Sequence, residues 1–431
     1  MSAFQIMVLG IFSTLILVGI GVFAIFGGVF GPRGIGDVEV WGTLEEDIVR
    51  GTLEALRAQD RSLESVRYIE KDPATYKDEL INAMAAAQGP DLALISAEDL
   101  LSFSDKIVTI PYSVIAQGSF LATYIDEAQI FLTPQGELAL PFVVDPVVMY
   151  WNRDLFASAG IASPPKYWNE LLTIAPKITS LDARSSVTRS AVALGEWRNI
   201  GTAKEMLATL FMQAGDNIAV RAASGEPEVV FGASPQGSVT NPAESALRFY
   251  TEFANPTKTS YSWNRALPDA LTMFTAGDLG VYFGFASEYS AIKARNPNLR
   301  FAAAVVPQIE GNNTRVVYGY LIGLAIPKSS NNIQGALMAA QSLTSKSGIS
   351  LISGALSLPP VRRDVSVDTS GDAVAGAFVN SALISRGWLD PSPRETDQIF
   401  RSMIESVVSG ALTPAAAINE GSRSLQDLFP R

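Results

Sequence analysis

The sequence predicts an α/β protein with two lobes, each built on a doubly wound, mainly parallel sheet, and an apolar helix ahead of them. Three observations carry that expectation. From residue 38 onward, short β-branched and aromatic runs alternate with segments of helical period, the pattern of a parallel sheet wound by helices. The chain has 431 residues, too many for one ordinary core and enough for two. Phe4 to Phe30 is an almost uncharged run, longer than the roughly 20 residues a helix needs to cross a bilayer.

No Lys or Arg precedes that run, its apolar core is longer than that of a signal peptide, and no clean Ala-x-Ala follows it. An uncleaved anchor over residues 1–31 is therefore favoured over a secretory signal, with residues 32–37 as a short Gly/Pro linker. Net charge is -11 and no basic run exists, which excludes nucleic acid as a partner because phosphate contacts need clustered Lys and Arg. The chain has no cysteine, so it has no disulfide framework, thiolate metal site, nucleophilic thiol or cysteine-borne lipid anchor. It also has no histidine, which removes Ser-His-Asp catalysis and histidine-based zinc hydrolysis. No cofactor or metal is expected, and without a Walker phosphate loop any ATPase must be a separate chain.

In the first lobe, Val38 to Trp41 reads as a strand. Thr43 with Glu46 has capping-box spacing for a helix to about Gln59, with Ile48, Val49, Leu53 and Leu56 as its buried stripe. Val66 to Ile69 is the next strand, Ala74 to Ala87 the next helix, and Asp91 to Ile95 a third strand after the Gly89-Pro90 break. Ligands of such sheets bind at the carboxyl ends of strands, which singles out Trp41 and Thr43 after the first strand, and Ser96 and Glu98 after the third. Glu45, Glu46 and Asp47 already occupy the positive end of the first helix dipole, so the ligand expected there is neutral.

Two apolar runs follow, Leu138 to Val144 and Pro146 to Trp151, flanking Asp145. An acid between buried strands must be hydrogen-bonded, either by a ligand or by a nearby Arg or Lys. A short helix, Leu155 to Ala159, can stop at Gly160, and a second, Asn169 to Ile178, starts after Pro164-Pro165 with Asn169 as its cap. Tyr150 and Trp168 read as core. Ser190 to Leu194 is a strand whose following loop, Gly195-Glu196-Trp197, offers Trp197 for stacking on a sugar face or for anchoring the loop. Ala203 to Gln213 and Ala243 to Phe253 are helical, and Gly225 to Asn241 reads as a hairpin or solvent loop. Asn331 to Ser345 and Thr413 to Leu428 close the inventory as helices.

Four blocks in this order resemble the maltose-binding-like class of extracellular solute-binding proteins. They are Gly89-Pro90-Asp91-Leu92; the Leu-Pro, acid and Tyr-aromatic-Asn-Arg-Asp-Leu-Phe pattern of residues 140–156 with Pro-Pro-Lys and Trp-x-Glu-Leu-Leu after it; residues 270–307; and ALSLPPVRRDV at 355–365. The resemblance implies a periplasmic-binding-protein-like fold of type II, with residues 38–143 plus 320–360 as lobe 1 and 144–319 plus 361–431 as lobe 2. It implies capture of a small solute, here a neutral sugar or oligosaccharide, and delivery to an ABC permease that works with a separate ATPase. The protein would act as a monomer held at the membrane by its amino-terminal helix, with its binding domain outside the cell.

The resemblance puts Asp145 on a strand crossing between the lobes, where it can accept hydrogen bonds from sugar hydroxyls. Phe285 falls where the family presents an aromatic to the cleft, with Ser287 as a donor beside it, and core burial is the rival fate of Phe285. Tyr318 and Tyr320 flank a glycine on the second crossover, and Arg362 belongs to the family's Leu-Pro-Pro-Arg-Arg-Asp turn, where an ion pair is its other reading. Ile95 replaces the stacking aromatic some sugar binders carry, which argues against a strict maltodextrin specificity. Two alternatives differ in class: a glycoside hydrolase using paired carboxylates such as Asp145 and Glu196, and a surface interaction protein that kept the fold without transport.

Overall fold

A computed structural model describes residues 35–222, 224–232 and 241–429. The anchor expected over residues 1–31 lies outside them, and among the described residues no helix is long and apolar enough to cross a membrane. The chain forms two compact units. The smaller comprises residues up to Leu94, Lys106–Val108 and Leu324–Gly348, and the larger comprises Ile95–Asp105, Thr109–Gly323 and the chain from Ile349.

In the smaller unit, β1 (Val38–Gly42) pairs in parallel with β2 (Val66–Glu70) on one side and β3 (Leu92–Ser96) on the other. Helices α1 (Glu46–Arg57) and α2 (Tyr76–Ala85) make the crossovers that parallel pairing requires. Val49, Leu53 and Leu56 form the buried stripe of α1, joined by Thr52 in place of the half-buried Ile48. The expected capping box does not form. Glu45 is the N-cap residue and makes no side-chain cap bond, so Thr43 lies two residues too early to reach the third turn position. Glu70 from β2 serves instead, its Oε2 accepting the Glu46 N–H at 2.7 Å.

The larger unit contains β4 (Leu140–Asn152), α3 (Arg153–Ser158), α4 (Trp168–Ile178), β5 (Val187–Val192) and α5 (Ala203–Gln213). Continuing along the chain come β6 (Leu279–Phe285), α6 (Glu288–Arg295), β7 (Phe301–Ala304) and β8 (Val317–Ala325), and α7 (Pro393–Val408) lies near the carboxyl terminus. The two runs around Asp145 are one 13-residue strand rather than two. Pro146 removes only a donor there, and its carbonyl still accepts the Ala286 N–H at 3.0 Å.

The expectation of a mainly parallel sheet fails in this unit. β6 and β7, joined by helix α6, both run antiparallel to β4, while β6 pairs in parallel with β5. A helical crossover makes β6 and β7 parallel to each other, and the oppositely directed β4 fills the gap between them.

Tyr150 and Trp168 pack in the core as their residue types suggest. The Tyr150 hydroxyl donates to the Phe285 carbonyl at 2.8 Å, and the Trp168 indole N–H donates to Gln213 Oε1 at 2.7 Å. Asn169 does not cap α4; Tyr167 is the N-cap residue, and the Asn169 amide instead donates to Glu310 at 2.7 Å. Within Gly225 to Asn241, Pro227–Val229 forms a hairpin with Ala219–Arg221, which precedes the segment, and residues 233–240 lie outside the described set.

Candidate functional site

Strand ends assemble the site. β8 carries Tyr318 and Tyr320 with one residue between them, the spacing that returns a side chain to the same sheet face, and it lies beside β4. Tyr320 is the hub. Its hydroxyl is hydrogen-bonded with Ser96 at the end of β3, and its ring meets Phe285 edge to face with centroids 6.4 Å apart. Burial, then the nearby charges of Glu98, Asp99 and Asp145, push the Tyr320 phenol up to about 12, so it stays protonated and can donate.

Around this hub the polar groups are held in place. The Ser96 hydroxyl donates to Asp99 Oδ2 at 2.9 Å. The fully buried Tyr318 donates its hydroxyl to Glu98 Oε1, which makes Tyr318 the support of Glu98 rather than a surface contact. Burial raises the Glu98 carboxyl, while the Lys204 charge and the Tyr318 hydroxyl oppose that shift.

Asp145 takes the Ser287 backbone N–H at 3.0 Å, so it fastens the turn after β6, and among the described residues it makes no ion pair with an Arg or Lys. Burial pushes its carboxyl up to about 6, against the hydrogen bonds from Ser287. The same turn is pinned by Glu288, whose Oε1 accepts the Phe285 N–H at 2.9 Å and whose Oε2 accepts the Tyr282 hydroxyl at 2.6 Å. Ser287 is exposed and opens onto a cavity of about 420 Å³ whose wall includes Tyr289, Ser290, Ser353, Ser357 and Phe378.

Seven sequence-derived residues therefore converge: Ser96, Glu98, Asp145, Phe285, Ser287, Tyr318 and Tyr320. Phe285 is half-buried, so core burial does not remove it. Four others are placed elsewhere or otherwise engaged. Trp41 and Thr43 belong to the smaller unit, where the Trp41 indole donates to Glu39 at 2.6 Å and Lys71 Nζ sits 3.7 Å from its ring centroid. Trp197 is half-buried and lines a different cavity, of about 450 Å³, with Glu196, Arg265, Arg401 and Glu405. Arg362 is ion-paired with Asp364, at 2.9 and 3.0 Å, and its guanidinium lies 5.6 Å from the Tyr124 ring centroid.

The paired-carboxylate alternative fits poorly, because Asp145 is engaged by Ser287 while Glu196 pairs with Arg265 at 3.4 Å in that other cavity. Sequence reasoning missed Lys204. Its ammonium is buried and bonds Asp390 and Thr396, each at 2.9 Å, with Asp397 also at 2.9 Å. Burial alone would lower this amine, but Asp390 and Glu98 hold it above its ordinary value. Lys204 beside Glu205 in the mostly apolar run Ala203 to Met212 was the available signal of a buried charge.

With this geometry in view, comparison with known proteins is decisive on one point. Residues 64–348 match the family described as bacterial extracellular solute-binding proteins. The chain belongs to that family. Family membership places it among binding proteins rather than enzymes. A Brucella abortus (strain 2308) protein described as a binding protein is 25% identical over 267 residues, which is 60% of this chain and 59% of that one. The chain thus spans about 59% of the length of the curated relatives it first matches.

Among solved structures, a cyclo/maltodextrin-binding protein complexed with maltotetraose aligns with a TM-score of 0.74 at 14% identity, covering 93% of this chain and 98% of that one. The cyclic alpha-maltosyl-1,6-maltose binding protein of Arthrobacter globiformis gives 0.73 at 16% identity, covering 92% and 99%. A Thermotoga lettingae TMO solute-binding protein bound to alpha-D-tagatose gives 0.67 at 19% identity, covering 92% and 100%. These likenesses carry the fold, an α/β two-lobed periplasmic-binding-protein-like architecture.

Proposed function

We propose that this protein captures a neutral sugar or oligosaccharide outside the cell and delivers it to an ABC permease served by a separate ATPase. The observation that carries the reading is the Tyr320 hub: a protonated phenol and an aromatic edge from Phe285, set among Ser96, Glu98 and Asp145. Aromatic faces cover the apolar side of a pyranose, and carboxylates accept from its hydroxyls. The family and the sugar-bound structural neighbours support the choice of ligand class.

Residues 38–143 plus 320–360 and 144–319 plus 361–431 are the bodies proposed to close on the solute, a closure driven only by tighter binding to the closed state. The apolar run Phe4 to Phe30 would hold a monomer beside its permease. The test is a thermal-shift and calorimetric screen of the purified protein against monosaccharides, maltodextrins and polyols. One class should bind, and Tyr320→Ala and Phe285→Ala should each weaken it at least tenfold. Wild-type affinity in both variants would place the solute elsewhere.

A further inference from the structure

The cavity that Ser287 opens onto has a chemistry the Tyr320 hub does not use. It holds about 420 Å³, within the roughly 300–1,000 Å³ of small-molecule sites, and its wall belongs to the larger unit. Ala286 and Ser287 line it directly after Phe285, on the turn that Asp145 fastens through the Ser287 N–H at 3.0 Å. A solute seated on Phe285 therefore lies one residue from this cavity.

Its wall is part hydroxylic and part aliphatic. Ser290 of α6, Ser357 after the helix Lys346–Leu356, and Ser366 are exposed on it, and their hydroxyls have no hydrogen-bond partner among the described residues. Leu356, Val365, Val367, Val374 and Val379 supply the aliphatic part, with Val367 40% exposed. No Lys or Arg lines the cavity, and the carboxylate of Asp372 is taken up in capping the helix Ala373–Leu383, accepting the Val374 and Ala375 N–H groups at 3.0 Å each. With no free counter-charge on the wall, the group it accepts is neutral. Ser357 is also strained. It sits at φ +56°, in the left-handed turn that ends its helix, where its N–H reaches the Gly354 carbonyl at 3.2 Å and the Leu358 N–H reaches Ser353 at 2.9 Å. Glycine is the ordinary residue at that position, and backbone strain of this kind collects at ligand sites. What serine adds there is a hydroxyl on the cavity wall.

We infer that this cavity receives the acyl group of an N-acylated amino sugar, so that the solute is an N-acetylhexosamine or an oligosaccharide containing one. The acetamido carbonyl accepts from the serine hydroxyls, and its methyl lies on the valines. A further pyranose face would call for an aromatic face, which the hub supplies and the valines do not. A free amino sugar would bring a cation for which the wall has no unengaged acid. The inference rests on the sugar reading of the Tyr320 hub and names its substrate class.

The experiment is isothermal titration of the full chain with N-acetyl-D-glucosamine, D-glucosamine and D-glucose. N-acetylglucosamine is expected to bind roughly tenfold or more tightly than either of the others. Gly354→Leu, at a wall position where a Cβ meets nothing within 4 Å, fills the cavity and should erase that preference. Ser357→Gly should raise the melting temperature, because glycine takes the left-handed backbone without strain, and should narrow the preference as well. A serine with a merely structural role would show the first effect without the second. Equal binding of N-acetylglucosamine and glucose, both weakened by Tyr320→Ala, overturns the acyl pocket and leaves the hub reading standing. An N-acetylglucosamine preference that survives in both folded wall variants overturns it too. Binding lost in Gly354→Leu but untouched by Tyr320→Ala supports the pocket and overturns the hub. No binding of any of the three sugars at millimolar concentration overturns the inference.

Discussion

Asp145 holds a turn of the fold and, in the proposed function, also meets the ligand. One carboxylate oxygen accepts the Ser287 N–H and so sets the turn that presents Phe285. Burial holds its acid at about 6, above the ordinary 3.8, so near neutrality it changes charge within reach of a modest pH change. In the proposed complex sugar hydroxyls would donate to the ionised form, and binding would therefore pull that value down again. Linkage then requires affinity to rise as pH increases from about 5 to 7. Asp145→Asn should flatten this profile and weaken binding by about 10- to 100-fold, the range of a hydrogen bond to a charged group at roughly 1.5–3 kcal/mol. Calorimetric titration across that pH range decides it; a flat wild-type profile would remove Asp145 from the ligand's contacts.

At the scale of elements, Lys204 ties α5 to the start of α7. Its side chain is 5% exposed and that of its partner Asp390 is 0% exposed, so neither charge has water to fall back on. Lys204→Met should cost about 3–5 kcal/mol in denaturant unfolding, because it strands Asp390 in the interior. Adding Asp390→Leu should recover much of that loss, and a single-variant loss below about 1 kcal/mol would show that the pair is solvated.

Elements with strong periodicity or clear stops were legible beforehand. Ala203 to Gln213 matches α5 residue for residue, and Gly160, at φ +71°, ends α3 as a glycine can. The antiparallel placement of β4 was hidden, because strand direction depends on which neighbours pair and not on the strand's own residues. The α1 cap was misread because Thr43 and Glu46 have the right spacing two positions out of register, while the real partner, Glu70, is 24 residues away. The Tyr320 hub was legible as separate strand-end residues. That Tyr318 supports Glu98, and that Trp197 lines another cavity, depends on packing that no local pattern records.

Across the whole molecule the buried acids share one sign. Burial pushes Asp145 and Asp216 up to about 6, and Glu127, Glu137 and Glu205 up to about 7. Between the unfolded values near 4 and these folded values, the native state binds more protons than the unfolded chain, so stability falls as pH rises through that window. Asp60 and Asp368 shift the other way, but their contribution changes only below the ordinary carboxylate range. Lys204, held above its ordinary value, contributes a constant amount at every pH below the unfolded amine's.

The melting temperature of the ligand-free protein should therefore be highest near pH 4, decline to about pH 7.5, and then level off. Each buried acid contributes a slope of up to about 1.4 kcal/mol per pH unit within its own window. Glu205→Gln removes one such group and should make the decline shallower without moving its end point. A melting temperature that rises from pH 5 to 7.5 would mean that these carboxyls are ionised and paired in the native state. A bound sugar adds its own term by mass action, about 2.7 kcal/mol at 100 times its dissociation constant. That increment should grow with pH as Asp145 ionises, so the ligand-induced shift in melting temperature is larger at pH 7.5 than at pH 5 even though the apo protein is less stable there.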